Sequence, residues 1–251
     1  MSGVDPAERG RPRAGGVRDG EHRSLHLLLP SNRHQIVGLL REAIIRGDFK
    51  PGEQLRQDHL SDAFGVSPTP IREALRHLES EGLVVHFPNR GVFVAEVSLE
   101  EVLGVLLPVR LLLEQFAVAS TPLTESSVAE LEQLLDVMDA AADADDFHAA
   151  SDADLRFHEV YVLHTNATHV INLWRAVHSR NRMYLHGLSR RLAARDIPHQ
   201  HRELLAVLET GDTPAIDRAL EEHIVTAAKD LLVDDPDEVT PRRSRTRRSR
   251  P

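Results

Sequence analysis

The sequence predicts a mainly α fold, with an N-terminal winged helix-turn-helix followed by an all-α helical bundle. Residues 61–95 contain two short helical patterns around a glycine turn, and two strand-like stretches follow them. Residues 98–233 show only helical periodicity, with apolar side chains every three or four positions. The 251 residues are 41% hydrophobic, which is enough to form two modest cores.

The first element of the DNA-binding pattern is a helix-turn-helix. A short apolar helix ends near Phe64, and Gly65 provides the corner to the next helix. Ser67 stands at the N-cap position of that second helix, where its side chain is expected to cap it. Pro68 and Pro70 fall in the first helical turn, where a missing N–H costs little.

The second helix presents two different faces. Its apolar residues, Ile71, Leu75 and Leu78, recur at helical spacing and predict a packed side. Its polar residues, Thr69, Arg72 and Arg76, form a separate stripe. Arginine can bind phosphate or guanine bidentately, so this stripe predicts contact with DNA. The alternative is a small helical subdomain whose arginines are only solvated.

A two-stranded wing is predicted directly after the second helix. Gly82 ends the helix, and residues 83–87 and 92–95 read as strands around the turn 88–91. Arg90 is expected at the wing tip, close to a groove or a phosphate.

Composition limits the class of protein. The chain has no cysteine, which excludes disulfides and thiolate metal sites, and its basic start lacks the apolar core of a signal peptide. We expect no apolar run long enough to span a bilayer, and therefore a cytoplasmic protein. The net charge is −9, but the chain ends in PRRSRTRRSRP. That basic tail either attracts phosphates or is merely solvated.

Four segments follow from these patterns. Residues 1–30 and 234–251 are expected to be disordered, because they are rich in Gly, Arg, Asp or Ser and lack apolar periodicity. Residues 31–97 form the DNA-binding domain, residues 98–233 form the helical domain, and the hinge is expected near residues 97–98. About six helices are predicted in the helical domain, with bounds near 98–120, 124–142, 145–165, 168–187, 196–210 and 214–233.

A metal site is suggested within the bundle by Asp154, His158, His201 and His223. Asp154 and His158 are four residues apart on one helix, so they lie on the same face. His201 and His223 are almost equally far from the turn at Gly211, so an antiparallel helix pair places them at the same height. Three imidazoles and one carboxylate suit Zn²⁺, Ni²⁺ or Mn²⁺ and leave positions open for another ligand.

This metal interpretation has rivals. The chain has 15 histidines, so an accidental Asp-x₃-His is easy to find. His199, two residues from His201, and His178 on the fourth helix are alternative ligands. A metal held at the site could also be purely structural.

The N-terminal pattern resembles the winged helix-turn-helix of the GntR family of bacterial transcription regulators. The segments IIRGDFKPGEQL, FGVSPTPIREALRHLESEGLV and PNRGVFV carry the resemblance. It implies double-stranded DNA as a partner and a set of DNA-binding residues: Arg33, Ser67, Thr69, Arg72, Arg76, Arg90 and Gly91. The chain departs from the family at Pro68, where an arginine is usual, and at Gln57, where a glutamate is common. We therefore expect a changed operator sequence or affinity.

The helical domain resembles the FCD ligand-binding domain of the FadR-type GntR subfamily, through DADLRFHEVYVLHTNAT, HRELLAVLETGD, ALEEHI and VRLLLE. This resemblance implies a divalent metal held by Asp154, His158, His201 and His223. It also implies a small carboxylate effector near the metal. The effector-binding residues that we consider are Arg110, Arg156, Arg175 and Asn181. The alternative for Arg110 is a salt bridge to Glu114, and Trp174 is expected in the core.

These observations predict a DNA-binding transcription regulator, namely a repressor that binds an inverted-repeat operator as a homodimer. A small organic acid at the metal would shift the two domains and control the DNA affinity. We expect no enzyme. A metal-dependent hydrolase would need a base, and Glu159 is turned about 100° from His158 on its helix.

Overall fold

The protein consists of a small α/β domain followed by a helical domain. The computed structural model describes residues 33–187 and 197–229, and the two terminal segments predicted to be disordered lie outside the described residues. The first domain contains α1 (Arg33–Ile45), β1 (Gln54–Leu55), α2 (Gln57–Phe64), α3 (Pro68–Ser80), β2 (Val84–Phe87) and β3 (Gly91–Val94). This order confirms the predicted winged helix-turn-helix.

The core of the first domain lies between α1, α3 and the sheet. Ile71, Leu75 and Leu78 of α3 are at most 2% exposed, which confirms the predicted packed face of this helix. They lie in one cluster with Leu40 and Ile44 of α1. Burial of these aliphatic side chains holds α3 in place, because each contributes roughly 1.5–3 kcal/mol.

The wing is part of a three-stranded antiparallel sheet with the order β1-β3-β2. In the hairpin, Val85 pairs with Phe93 and Phe87 pairs with Gly91. The two-residue strand β1 adds to the other edge of β3, with Leu55 opposite Val92. The sequence patterns did not indicate β1, because two residues are too short to show alternation.

The second domain is helical throughout its described residues. Its helices are α4 (Leu99–Glu101), α5 (Leu107–Ser120), α6 (Glu125–Asp143), α7 (Phe147–His164), α8 (Thr168–Gly187), α9 (Ile197–Leu208) and α10 (Thr213–Glu221). A π-helical turn, Val102–Leu106, joins α4 to α5, and a second one, Glu222–Thr226, follows α10. Phe157, Tyr161 and Trp174 are fully buried at the centre, so the prediction that Trp174 belongs to the core is confirmed.

Side-chain caps mark several of the predicted helix starts. The Ser98 hydroxyl accepts a hydrogen bond from the backbone N–H of Glu101 at 3.1 Å. Thr124 and Ser127 form a reciprocal capping box at the start of α6. These polar caps explain why the starts of α4 and α6 could be located from the sequence.

One continuous helix, Leu99–Ser120, is long and apolar enough by length and composition to cross a membrane. The expectation that no apolar run reaches this length was therefore wrong. In the fold, however, this helix carries the buried ion pair of Arg110 and Glu114 and packs against α7 and α8. It is thus a helix of the bundle, and its buried apolar residues, such as Leu106, Leu107 and Ala117, serve that packing.

Candidate metal centre and DNA-binding surface

Asp154, His158, His201 and His223 come together in the helical domain. One nitrogen or oxygen from each lies within 4.8 Å of those of the other three. Nε2 of His201 is 2.9 Å from Oδ1 of Asp154, and Nε2 of His158 is 3.1 Å from Nε2 of His223. Ligands bound to one ion at about 2.0–2.2 Å are separated by distances of this size.

The helices place these four side chains for simple reasons. Asp154 and His158 are one turn apart on α7, and their side chains are 3.6 Å apart at the nearest atoms. The chain reverses between α9 and α10 at Gly211, whose φ of 67° is left-handed. His223 follows α10 in a π-helical turn, a distortion that often occurs at functional sites. The ring centroids of His201 and His223 are 4.5 Å apart.

Two histidines of the cluster are oriented by acceptors behind them. Nδ1 of His158 lies 2.8 Å from Oε2 of Glu114, and Nδ1 of His201 lies 2.7 Å from the carbonyl oxygen of Ile197. If each Nδ1 donates its proton to these oxygens, each Nε2 keeps a free lone pair that faces the cluster. This arrangement is the one that metal-binding histidines use.

Glu114 is the centre of a buried polar network. Its Oε1 accepts hydrogen bonds from Arg110 Nε at 2.7 Å and from Trp174 Nε1 at 2.8 Å. Its Oε2 accepts from the Tyr161 hydroxyl and faces Nδ1 of His158. Burial would raise the pKa of the Glu114 carboxyl, but Arg110 and His158 outweigh burial and hold this pKa well below its usual range. Glu114 is therefore an anion at neutral pH.

The pKa shifts of Asp154 and His223 favour the forms that bind a cation, whereas the pKa shift of His158 opposes metal binding. Burial would raise the pKa of Asp154, but His158 and His201 beside it lower this pKa well below its usual range. Burial, with His201 and His158 nearby, lowers the pKa of His223 well below its usual range. Burial would also lower the pKa of His158, but the Glu114 carboxylate outweighs it and raises this pKa. A metal ion would thus have to displace a proton from His158.

The donor set fits a divalent ion. Two imidazole nitrogens with fixed tautomers, a third imidazole and a carboxylate match the ligands of Zn²⁺, Ni²⁺ and Mn²⁺. The side chain of Asp154 is 22% exposed, so the cluster is open to solvent on one side. Glu159 lies elsewhere, because its carboxylate binds Arg175 at 2.7 Å on the surface. Glu159 is therefore not placed to act as the base that the hydrolase alternative would need.

Three buried polar side chains of the helical domain, two of them close to the cluster, have unused hydrogen-bonding atoms. Arg110 is 7% exposed, and its Nη2 has no partner among the described residues, although its Nε binds Glu114. Neither ring nitrogen of His178 and neither amide atom of Asn181 has a hydrogen bond within the described chain, and both residues are 1% exposed. Nε2 of His178 lies 3.9 Å from Oδ2 of Asp154.

The other predicted effector residues lie elsewhere. Arg156 is exposed on α7, where it is turned away from its neighbours Asp154 and His158. Arg175 is exposed and bound to Glu159. The structure does not bring these two arginines to the cluster. Among the rival histidines, His199 is exposed and lies 3.7 Å from Glu203, so only His178 is near.

The predicted DNA-binding residues of α3 share one exposed surface. Thr69, Arg72 and Arg76 are all exposed, opposite the packed face of the helix. Ser67 occupies the N-cap position, but its side chain makes no capping hydrogen bond, so its predicted capping role was wrong. Its exposed hydroxyl is instead available to a ligand. The backbone of Arg33 begins α1, and its side chain lies outside the described residues.

The wing tip is held in a defined shape. Asn89 and Gly91 both have positive φ, at 61° and 101°, as the tight turn requires. The Arg90 guanidinium lies over the rings of Phe87 and Phe93, 5.4 and 5.5 Å from their centroids. The amide of Gln54 donates to the carbonyl oxygen of Arg90 at 2.6 Å. The exposed charge of Arg90 is thus presented on a rigid support.

Sequence reasoning missed Tyr161 and the supporting role of Glu114. Glu114 was considered only as a partner of Arg110, and Tyr161 was not considered. The available signal was the Arg110-x₃-Glu114 spacing within an otherwise apolar helix, since an acidic residue there needs buried partners. Tyr161, three residues after His158, lies on the same side of α7.

Comparison with known families agrees with both domains. The family model described as bacterial regulatory proteins of the gntR family matches residues 32–94. The FCD domain model matches residues 105–226. Proteins of this combination are transcription regulators and not enzymes.

Several known proteins are similar to this chain in sequence. A regulator in the TAR-I ttuE-ttuC′ intergenic region of Agrobacterium vitis is 31% identical, over 49% of this chain and 74% of the relative. YdhC of Bacillus subtilis is 31% identical, over 55% of this chain and 63% of the relative. The gluconate operon transcriptional repressor of Bacillus licheniformis is 32% identical, over 54% of this chain and 56% of the relative. The chain thus spans less than two thirds of the length of the last two relatives.

A solved structure has the same fold along most of the chain. The GntR transcriptional regulator from Rhodococcus sp. RHA1 superposes with a TM-score of 0.68 and 29% identity, covering 82% of this chain and all of that one. Fold, domain order and sequence similarity agree. The chain therefore belongs to the GntR family of DNA-binding transcriptional regulators, with an FCD domain after its winged helix-turn-helix.

Proposed function

We propose that this protein is a homodimeric repressor whose operator affinity is controlled by a small organic acid bound at a divalent metal in the helical domain. The observation that carries the proposal is the cluster of Asp154, His158, His201 and His223, with acceptor oxygens of Glu114 and Ile197 behind Nδ1 of His158 and His201. A metal held there would supply a Lewis-acidic point for a ligand carboxylate. Zn²⁺, Ni²⁺ and Mn²⁺ all suit the donors.

The unused polar atoms of buried side chains in the helical domain support a carboxylate ligand. Arg110 Nη2 provides a buried positive donor, and Asn181 provides both an amide donor and an acceptor. Such groups are costly to leave without partners in the interior, so a ligand that pairs with them gains affinity. Arg110 can do this while it stays bound to Glu114 through Nε.

A groove elsewhere in the helical domain is a poorer site for an acid. A groove of about 540 Å³ lies between α5, α6 and the α9–α10 turn. Its lining includes four carboxylates, from Glu125, Glu132, Glu209 and Asp217, and no basic residue. Like charges would repel an organic anion there, so the metal cluster is the favoured effector site.

The DNA-binding role rests on the exposed face of α3 and on the wing. A recognition helix in the major groove would place Thr69, Arg72 and Arg76 near base edges and phosphates, and Arg90 would contact the backbone. Pro68 supplies no charged group at a position where an arginine is usual in the family. The operator sequence, or the affinity of the protein for it, is therefore expected to differ. The named gluconate repressor among the relatives supports repression as the mode of action.

A homodimer is supported by an exposed apolar stripe. Val105, Leu112 and Phe116 are 53%, 65% and 49% exposed, and their spacing places them on one face of the helix Leu99–Ser120. A second copy packed on this stripe would remove it from water. Two-fold symmetry would then present two recognition helices to an inverted repeat, in the cytoplasm where the DNA is.

The test is a gel shift with the full protein and the DNA that flanks its own gene, with excess competitor and a panel of small carboxylic acids. We expect a specific shift that at least one acid reverses. The His223→Ala variant should still shift the DNA, but the acid should no longer act. A wild-type complex that no acid affects would indicate a structural metal, and absence of any specific shift would refute the DNA-binding role.

A further inference from the structure

Helix α8 contacts both domains within ten residues. On the side of the metal cluster, Trp174 donates to Glu114 and His178 approaches Asp154. Further along the helix, Met183 is 5% exposed and belongs to the apolar core of the DNA-binding domain. One rigid element therefore borders the cluster and also enters the core that supports the recognition helix α3.

Arg180 of α8 lies directly against Gly82, just beyond the end of α3. A Cβ atom on Gly82 would overlap the Arg180 guanidinium, whose Nε would be 2.6 Å from it. Gly82 also has φ of 73°, which side chains other than glycine rarely adopt. The backbone N–H groups of Gly82 and Leu83 donate to the carbonyl oxygens of Glu79 and Leu78 and so close the last turn of α3.

An ion network around the buried Arg182 joins α8 to the DNA-binding domain beside this contact. Arg182 is 2% exposed and binds Asp152 of α7, and two of its nitrogens lie 3.5 Å from the carboxylate of Glu42 in α1. Arg46 of α1 binds Asp152 at 3.1 Å. The buried Arg182 guanidinium would lose its counter-charges if α8 moved away from α1, so these residues hold the C-terminal part of α8 in place while Arg180 reaches the end of α3.

We propose that Arg180 is a positioning residue that sets the orientation of the recognition helix through its contact with Gly82. A displacement of α8 at the cluster would move the Arg180 guanidinium, and with it the C-terminal end of α3. This inference rests on the proposed function in so far as it gives the route by which the effector site controls DNA affinity. It also predicts an interdomain geometry that can be measured without DNA.

The first test measures this geometry in the full-length protein. Because the chain has no cysteine, Glu79→Cys on α3 and Ala129→Cys on α6 create two unique, exposed sites for nitroxide labels. Labelled protein is diluted with unlabelled protein so that only distances within one chain are recorded. We expect one narrow distance distribution in this background. Adding Arg180→Ala should broaden or shift it, and Arg180→Lys should restore it in part, because the charge and most of the length remain.

The matched control is Arg175→Ala on the same helix. Arg175 is an arginine on the same helix, but its ion-pair partner Glu159 lies within the helical domain. This variant should leave the distance distribution unchanged. A folded Arg180→Ala variant with the unaltered distribution would overturn the proposal. If that variant does not fold, Arg180→Gln, which has no charge and a shorter side chain, is measured in its place, and an unaltered distribution in it would likewise overturn the proposal.

The second test measures DNA affinity with a double-mutant cycle. Arg180→Ala should change the dissociation constant for operator DNA by about fivefold or more, the lower range of interdomain coupling. Gly82→Ala should weaken binding more in the presence of Arg180 than in the Arg180→Ala background, where only the left-handed backbone opposes the methyl group. Additive effects of the two substitutions would overturn the direct contact. Failure of the wild-type protein to bind DNA would instead refute the proposed function, and the label distances would still decide the role of Arg180.

Discussion

The Glu114→Gln substitution probes the network that orients the metal cluster. The carboxylate serves four donors: Arg110 and Trp174 at Oε1, and His158 and Tyr161 at Oε2. A glutamine has the same size but only one acceptor oxygen, so its NH₂ group must face two of these donors. If it faces His158, the imidazole has to move its proton to Nε2, where the metal would bind.

The structure sets the size of both expected effects. Loss of an acceptor behind a metal-binding histidine costs about 10–100-fold in metal affinity. Arg110, 7% exposed, would also lose its counter-charge, which costs about 3–5 kcal/mol of unfolding free energy. Competition with a chelator measures the first effect for Zn²⁺ or Ni²⁺, and urea denaturation measures the second.

The control is Glu159→Gln, which removes the carboxylate next to His158 in sequence. Glu159 binds Arg175 on the surface, so this change should cost less than about 1 kcal/mol and leave metal affinity unchanged. If Glu114→Gln binds metal and resists urea as well as the wild type does, the orienting role of Glu114 is wrong.

Four further predictions concern pH, the DNA surface and the ligands. Below pH 4.5, the ordinary pKa of a glutamate, the carboxyl of Glu114 takes up a proton in the unfolded chain but not yet in the folded protein. The unfolding free energy should therefore decrease as the pH is lowered, and it should decrease less in Glu114→Gln. Arg76→Ala should cost about 1–3 kcal/mol of operator affinity by equilibrium titration. Arg90→Ala should reduce the slope of log K against log salt by about 1, because one phosphate contact is lost. By calorimetry, His201→Ala should lose metal binding and the exposed His199→Ala should keep it.

Local signals made much of the fold predictable. The bounds of α8 follow from Thr168 at its start and Gly187 at its end, and the structure has the same residues. The cluster could be assembled because Asp154 and His158 are one turn apart and because His201 and His223 are symmetric about a glycine turn. Such relations depend only on helix geometry, which is the same in every protein.

Contacts between distant helices could not be predicted in this way. The role of Glu114 depends on how α5 packs against α7 and α8, and the contact of Arg180 with Gly82 joins residues almost a hundred positions apart. Ser67 shows the opposite failure, since its position predicted a capping hydrogen bond that the side chain does not make. Packing of the surrounding residues decides these details, and periodicity does not report it.

The most direct test of the central claim is thermodynamic linkage between the organic acid and DNA. The acid is one that has been found to release the operator. Calorimetry measures its binding first to the free, metal-loaded protein and then to the same protein bound to operator DNA. Linkage requires that DNA weaken acid binding by the same factor by which the acid weakens DNA binding. Equal factors, both abolished by His223→Ala, are the predicted result. An acid that binds the free protein and the DNA complex with equal affinity would contradict the claim that the metal cluster controls DNA binding.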